Sequence, residues 1–223
     1  VEFGEVIRRR RMVRAYQPDD VPIDALTRML EHAVRAPSAG FSQGWDFLVL
    51  TRAQDRDRFW AAATPAPSPE HRANGDPAPE PTPEPGTDAW LRGLMTAPAL
   101  VICLSDPGRY LDRYAEPDKG RTDRDPRRWP VPYWDVDTGM AAMVMLLTAV
   151  NEELGACFFG VPSQRHEAVH DAFGIPVNRR IVGVVSVGRP ARDRRSPSLR
   201  RGRRLFGEVV HHGTFGVPFH GEQ

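Results

Sequence analysis

Cysteine and lysine are scarce in this chain. Cys103 and Cys157 are its two cysteines, too few for a disulfide framework and without the spacing of a metal site. Both lie in apolar runs, which marks them as buried thiols in a reducing cytoplasm. Lys119 is the single lysine among 30 basic residues, and with abundant Ala, Arg and Pro this is the composition of a GC-rich coding sequence. No apolar run reaches the ~18 residues of a membrane span, and the first residues do not read as a signal peptide. Neither sign of charge is in excess. The formal net charge is +1, so no global attraction draws the chain to nucleic acid or to a membrane. No G-x-G-x-x-G follows a strand and there is no P-loop, so a Rossmann dinucleotide site is unsupported. No internal repeat is present.

What is present is a chain of 223 residues, long enough for one domain with a substantial core. A short helix is expected over residues 3–11, with Phe3, Val6 and Ile7 on one face. A second, with Leu26, Met29, Leu30, Ala33 and Val34 at helical spacing, starts near Asp24 as N-cap and ends before Pro37. Strands are expected at 45–51, 99–104, 156–160 and 180–188, and further helices at 54–63, 90–95 and 164–173, the last closed by Gly174. Mixed elements without regular βαβ alternation indicate an α+β fold. Two stretches interrupt it. Residues 64–86 carry eight prolines, a density that neither a helix nor a central strand tolerates, and read as a surface excursion. Residues 107–132 read as a polar, arginine-rich excursion carrying Tyr110, Tyr114 and Trp129.

Residues 135–154 form the longest helical pattern. Met140, Met143, Val144, Leu147, Val150 and Leu154 make one face, and Val136, Met145 and Leu146 extend the apolar surface around it. A helix apolar nearly all round is central or lies at a subunit interface. Asp135 reads as its N-cap. Asp135 and Asp137 are two residues apart, so they point to different faces and form no acid/base pair. His211, His212 and His220 lack accompanying ligands and read as surface or packing histidines rather than a metal site.

The most informative stretch is Ala36-Pro37-Ser38-Ala39-Gly40-Phe41-Ser42-Gln43-Gly44-Trp45, a helix end and a small-residue turn leading into a strand. The cationic residues 8–14 precede it. Basic side chains can take a phosphate and the electron-rich edge of a flavin, while a small-residue turn lets backbone amides approach closely.

With Arg10-Arg11-Met12-Val13-Arg14-Ala15-Tyr16, Val21-Pro22, Glu153-Leu154-Gly155-Ala156-Cys157, Phe173-Gly174-Ile175-Pro176, Val185-Ser186-Val187-Gly188-Arg189-Pro190 and Arg201-Gly202-Arg203-Arg204-Leu205, in this order, the chain resembles the nitroreductase-like, FMN-dependent oxidoreductases. The resemblance spans nearly all of residues 1–223, read as a single domain. It implies a central, mostly antiparallel sheet flanked by helices, in an intertwined homodimer with FMN at the subunit interface. Arg10 and Arg11 would face the phosphate and ribityl chain. Arg14 would sit near the pyrimidine edge of the ring, where positive charge stabilises the anionic reduced flavin. Pro37, Ser38 and Ala39 would come from the other subunit and cover the flavin, with Gln43 reaching the ring or supporting the turn. Phe158, Phe159 and Gly160 would lie near the reactive nitrogen, and Arg201 and Arg203 would close the phosphate site.

Two departures stand out. Met12 replaces a common Ser, and Phe41 a common Asn. The Ala-Pro-Ser-x-Gly-Phe pattern is closer to the flavin-cleaving branch that makes dimethylbenzimidazole, but the acid at the Met12 position and the Ser near Gly160 that mark that branch are missing, which argues against flavin destruction. The implied activity is hydride transfer from NAD(P)H through FMN to an electron-poor small molecule, such as a nitroaromatic or a quinone, by a ping-pong mechanism in the cytoplasm. The alternative is a flavin- or F420-binding module or a dedicated biosynthetic oxidase. A nucleic-acid-binding role for the arginine clusters is disfavoured by the near-neutral charge and the absence of any binding motif.

Overall fold

The computed structural model describes residues 2–64, 87–192 and 196–219. The proline-rich excursion at 65–86 and His220 fall outside them. The chain divides into two compact units, Val1–Asp193 and Arg194–Gln223.

The first unit contains α1 (Phe3–Arg9), α2 (Ile23–Ala33), β1 (Trp45–Leu50), α3 (Ala53–Ala63), α4 (Thr87–Met95), β2 (Ala99–Ser105), α5 (Pro107–Ala115), α6 (Tyr133–Asn151), β3 (Gly155–Phe159), α7 (His166–Phe173) and β4 (Arg180–Gly188). Its four strands form one sheet in the order β1-β2-β4-β3, and every neighbouring pair is antiparallel. Side chains alternate along a strand. Ala99, Val101 and Cys103 of β2 therefore join a core with Leu26 and Met29 of α2 and Ala141 and Met145 of α6. Leu100, Ile102 and Leu104 join the opposite core with Phe59 and Trp60 of α3, Leu94 of α4 and Val169 of α7. With helices on both faces, β2 is buried at every position, which is why it reads as an unbroken apolar run. Burial pushes the Cys103 thiol up to about 12, so it stays protonated and unreactive. Among the described residues no helix is long and apolar enough to cross a membrane.

Three local expectations are corrected. Asp24 is not the N-cap of α2. Pro22 holds that position, and Asp24 lies in the first turn, where its charge complements the helix dipole. Asp135 likewise does not cap α6, which begins two residues earlier behind Pro132. Its carboxylate instead accepts from the Ser105 hydroxyl at 2.6 Å and pairs with Arg180 at 3.0 Å. The arginine-rich excursion is not wholly irregular, because residues 107–115 form α5. Its start carries the usual signals, with Asp106 as a cap accepting from the Gly108 amide at 2.9 Å and Pro107 in the first turn.

The face of α6 turned to the sheet also differs from the one its long side chains mark out. Asp137, Thr138, Ala141, Ala142, Met145, Leu146, Thr148 and Ala149 are buried. Met140 and Met143 are exposed and Val136, Val144 and Leu147 only partly covered. Small residues let the helix lie close to the sheet, and the bulkier apolar face is turned away.

After α1 the chain runs extended across one end of the sheet. The Val13 amide donates to the Ala156 carbonyl at 3.0 Å, beside a parallel bridge from Met12 to Ala156. Three glycines make room for this crossing. A side chain at Gly93 would stand on the carbonyl oxygen of Arg14, one at Gly155 would meet Val13 at 2.8 Å, and one at Gly188 would meet Pro98 at 2.6 Å and Tyr16 at 2.9 Å. The buried Tyr16 hydroxyl donates to the Val13 carbonyl at 2.6 Å and lies 2.8 Å from the Ser186 hydroxyl. The Tyr16 amide donates to the Thr96 hydroxyl at 3.0 Å. Arg14 is thus carried on backbone pinned on both sides.

Because the obstruction at Gly93 is backbone, no rotamer change relieves it. Gly93→Ala is expected to destabilise the fold by about 2–3 kcal/mol, the upper range of overpacking, as read from urea unfolding. A midpoint equal to wild type would mean that the crossing is not held where it lies.

Candidate functional site

The basic side chains from Arg9 to Arg14 meet different surroundings. Arg11 lies with Val13, lining a cavity of about 230 Å³ with Arg9, Glu153, Gly155 and Pro190. Arg10 and Arg14 are half-buried, and Met12 packs against both cores. Arg9 also pairs with Glu5 one helical turn back at 3.4 Å, a surface bridge of small energetic weight. The structure therefore places Arg9 and Arg11 on one cavity, and Arg10 and Arg14 do not line it.

Phe158 and Phe159 are successive strand residues and occupy opposite faces of the sheet. The Phe158 ring fills the space above Gly183 and packs on the α2/α6 side. Phe159 packs on the other side, stacked on Trp60 with ring centroids 5.6 Å apart and planes 11° from parallel. Gly160 follows at the strand end, with open space where a side chain would begin.

The turn after Pro37 is tightly built. The Ser38 hydroxyl accepts from the Gln43 amide at 3.0 Å, and the Ser42 hydroxyl donates to the Ala39 carbonyl at 2.7 Å. Gly40, Phe41 and Gln43 have φ of +63°, +58° and +49°. Glycine adopts that region freely, whereas Phe and Gln do so at a cost. The surrounding helices impose it. Asp137 of α6 accepts from the Ala39 amide and from the Tyr110 hydroxyl, each at 2.8 Å. Arg113 of α5 donates to the Gly40 carbonyl at 2.9 Å. The Asp106 amide donates to the Gly44 carbonyl at 2.8 Å. Burial first, and then the bond to Asp137, holds the Tyr110 hydroxyl well above its ordinary pKa, so it remains a donor.

Outside the turn lies a cleft of about 700 Å³ lined by Phe41, Gln43, Trp45, Arg109, Arg113 and Arg179 among others. Its arginines face carboxylates. Arg179 bridges Asp46 at 2.6 Å and Asp106 at 2.9 Å, and Arg113 holds Asp118 at 2.7 Å. The cleft therefore carries no excess of one charge.

The basic segment and the turn stand at opposite ends of α6. The turn is tied to Asp137, while Arg11 shares its cavity with Val150. Between those two residues the helix rises roughly 20 Å. Pro37, Ser38, Ala39 and Gln43 thus do not meet Arg10, Met12 and Arg14 within one chain. Arg201 and Arg203 belong to the second unit, around a short helical turn (Pro197–Arg201) that precedes α8 (Phe206–Val209). Both are exposed. Their neighbour Arg204 is engaged within its own segment, donating to the Glu208 carbonyl at 2.8 Å.

Sequence reading missed the residues that hold the turn, namely Asp137, Tyr110 and Arg113. A charged residue inside an otherwise apolar helix is the signal that points to Asp137, because a buried carboxylate persists only where donors satisfy it. The Phe41 ring is 75 % exposed, so its left-handed backbone is not compensated by packing. Phe41→Asn is expected to raise stability by about 1 kcal/mol and the melting temperature by about 2–4 °C. A lowered melting temperature would show that the ring is held against something the isolated chain does not contain.

A model of the nitroreductase family matches residues 7–189. A 4-nitrobenzoate reductase from a Nocardioides species is 28 % identical, with 83 % of this chain and 79 % of that protein covered. Among solved structures, an FMN-dependent nitroreductase from Clostridium difficile matches with a TM-score of 0.62 at 16 % identity, over 94 % of this chain and 98 % of the other. A nitroreductase with bound FMN from Bacteroides fragilis matches with a TM-score of 0.57 at 21 % identity, over 97 % and 98 %. The two structures speak for the fold, and the family match runs from the end of α1 through the whole sheet. This chain belongs to the nitroreductase family.

Proposed function

We propose that the chain is one subunit of a homodimeric FMN-dependent oxidoreductase that passes reducing equivalents from NAD(P)H to an electron-poor small molecule. The observation that carries this reading is the pinned basic segment across one end of the sheet, beside the start of β3. Its donor set suits a phosphorylated planar group. Guanidinium groups at Arg10 and Arg14 match a phosphate and an electron-rich ring edge, and the backbone beneath them is fixed before any ligand arrives. The open space at Gly160, just past the other end of β3, leaves room for a ring. Bound FMN would supply the hydride chemistry, and the chain supplies binding, orientation and charge. Arg14 places a positive charge where negative charge develops on reduction. A nitroaromatic acceptor is in keeping with the 4-nitrobenzoate reductase among the relatives.

The length of α6 supports the dimer in this reading. A turn that covers the cofactor must come from a second copy, because its own lies roughly 20 Å away along the helix. The partly exposed stripe Val136, Met140, Met143 and Leu147, together with exposed Phe3 and Ile7 on α1, offers the apolar surface such pairing needs.

The test is an anaerobic absorption spectrum of the purified protein after loading with FMN and desalting, before and after adding NADPH or NADH. Retained flavin that bleaches within the mixing time is the expected result, and Arg14→Ala should raise the FMN dissociation constant about tenfold, or about 1.4 kcal/mol. No retained flavin in the wild type would remove the cofactor assignment. Retained flavin that does not bleach would favour a binding module or a different electron donor.

A second expectation concerns assembly. Met143→Glu sets a charge into the apolar stripe, and sedimentation should then show monomers that no longer retain FMN. A dimer that survives with full flavin content would place the interface elsewhere.

A further inference from the structure

The arginine-rich segment 107–132 has no role in the proposed chemistry, yet it holds the turn directly through Arg113 and Tyr114 and indirectly through Asp137. Ala39 and Gly40 are successive, half-buried residues of the turn. The Ala39 amide is taken by Asp137 at 2.8 Å and the Gly40 carbonyl by Arg113 at 2.9 Å. The Tyr114 ring closes on the same point, since a side chain at Gly40 would meet its Cε2 at 2.7 Å.

Each of these grips is itself held from within the segment. Asp137 Oδ2 also accepts from the fully buried Tyr110 hydroxyl at 2.8 Å. The far side of the Arg113 guanidinium is clamped by both carboxylate oxygens of Asp118, at 2.7 and 2.8 Å. A fork bound at both ends has one orientation. Trp129 packs edge-on against Tyr114, with centroids 4.7 Å apart, and against Tyr110 at 6.1 Å. A buried carboxylate is a poor device for stability alone, because its desolvation offsets much of what its bonds return. What it does well is fix one backbone amide in one place.

We propose that Asp137 and Arg113 are positioning residues for the cofactor, through which segment 107–132 sets the pose of the 37–43 turn over the flavin. This rests on the reading that the turn covers FMN. Neither side chain needs to touch the cofactor. Each fixes one polar group of the two residues that carry Pro37 and Ser38 into place. The segment is then a brace for the cofactor cover rather than an insertion beside it.

The test uses the full chain and FMN itself, titrated by quenching of flavin fluorescence, with the absorption spectrum of the bound flavin and the melting temperature of the apoprotein recorded for each variant. Asp137→Asn keeps one oxygen able to accept from both the Ala39 amide and the Tyr110 hydroxyl, and should bind FMN within about threefold of wild type. Asp137→Leu removes the acceptor, and Arg113→Met frees the Gly40 carbonyl at a solvent-accessible place. Both should weaken FMN binding about tenfold or more and shift the long-wavelength band of the bound flavin. Arg113→Met should do so with a melting temperature within about 2 °C of wild type.

If Asp137→Leu fails to fold, Arg113→Met and the rescue by Asp137→Asn decide. Wild-type affinity and an unshifted band in Arg113→Met overturn the brace while leaving the flavin reading intact. A wild-type protein that retains no FMN overturns both.

Discussion

The carbonyl oxygen of Arg14 occupies the space that a side chain at Gly93 would need, and much of the first unit is arranged around that fact. Glycines on α4, β3 and β4 converge on four residues of extended backbone, and Tyr16 ties the same stretch to Ser186 and Thr96. The crossing lies beside the start of β3 and joins one core through Val13 and Tyr16 and both cores through Met12. A cationic segment left to itself would be a mobile, solvated loop. Here its backbone is held by packing at Gly93, Gly155 and Gly188 and by the Thr96 hydroxyl instead.

At the other end of α6 the same logic runs through a carboxylate. Asp137 sits among alanines and threonines that let the helix lie close against the sheet, and its one oxygen satisfies two donors from two different segments. The helix therefore has three kinds of surface. A small-residue face meets the sheet, a bulkier apolar stripe faces outward, and a polar anchor stands near its start. Few of these positions are interchangeable. A larger residue at Ala141 would lift the helix from the sheet, and a residue without an acceptor at Asp137 would orphan the Ala39 amide.

Most of the elements were legible in the sequence, because each rests on a local pattern. β2 is an unbroken apolar run since helices cover both faces of the sheet, and α2 shows its apolar stripe at 3.6-residue spacing. The ends were less legible. Pro22 and Pro132 start helices that Asp24 and Asp135 appeared to cap, since an aspartate in a first turn looks the same in sequence as one at the cap. The buried face of α6 was misread for a different reason. Large apolar side chains usually mark the core, but here close packing selected small ones and left Met140 and Met143 outside. The helix at 107–115 lay hidden under its arginines, although Asp106-Pro107 marks its start. In the candidate site, the basic segment and the Pro-Ser turn were legible as motifs. What no motif expresses is that they stand at opposite ends of one helix, or that the braces on the turn come from residues about 70 and 100 positions downstream, because such pairings are set by tertiary packing.

The span of α6 also has a genetic consequence. In a dimer that builds each site from the basic edge of one copy and the turn of the other, two copies crippled at opposite ends are not equivalent to two copies crippled at the same end. Homodimers of either defective chain carry two damaged sites. A mixed dimer gathers both lesions into one site and leaves the other whole. Function then belongs to pairs of chains rather than to single ones, and two alleles that each fail alone can complement one another within the same cell.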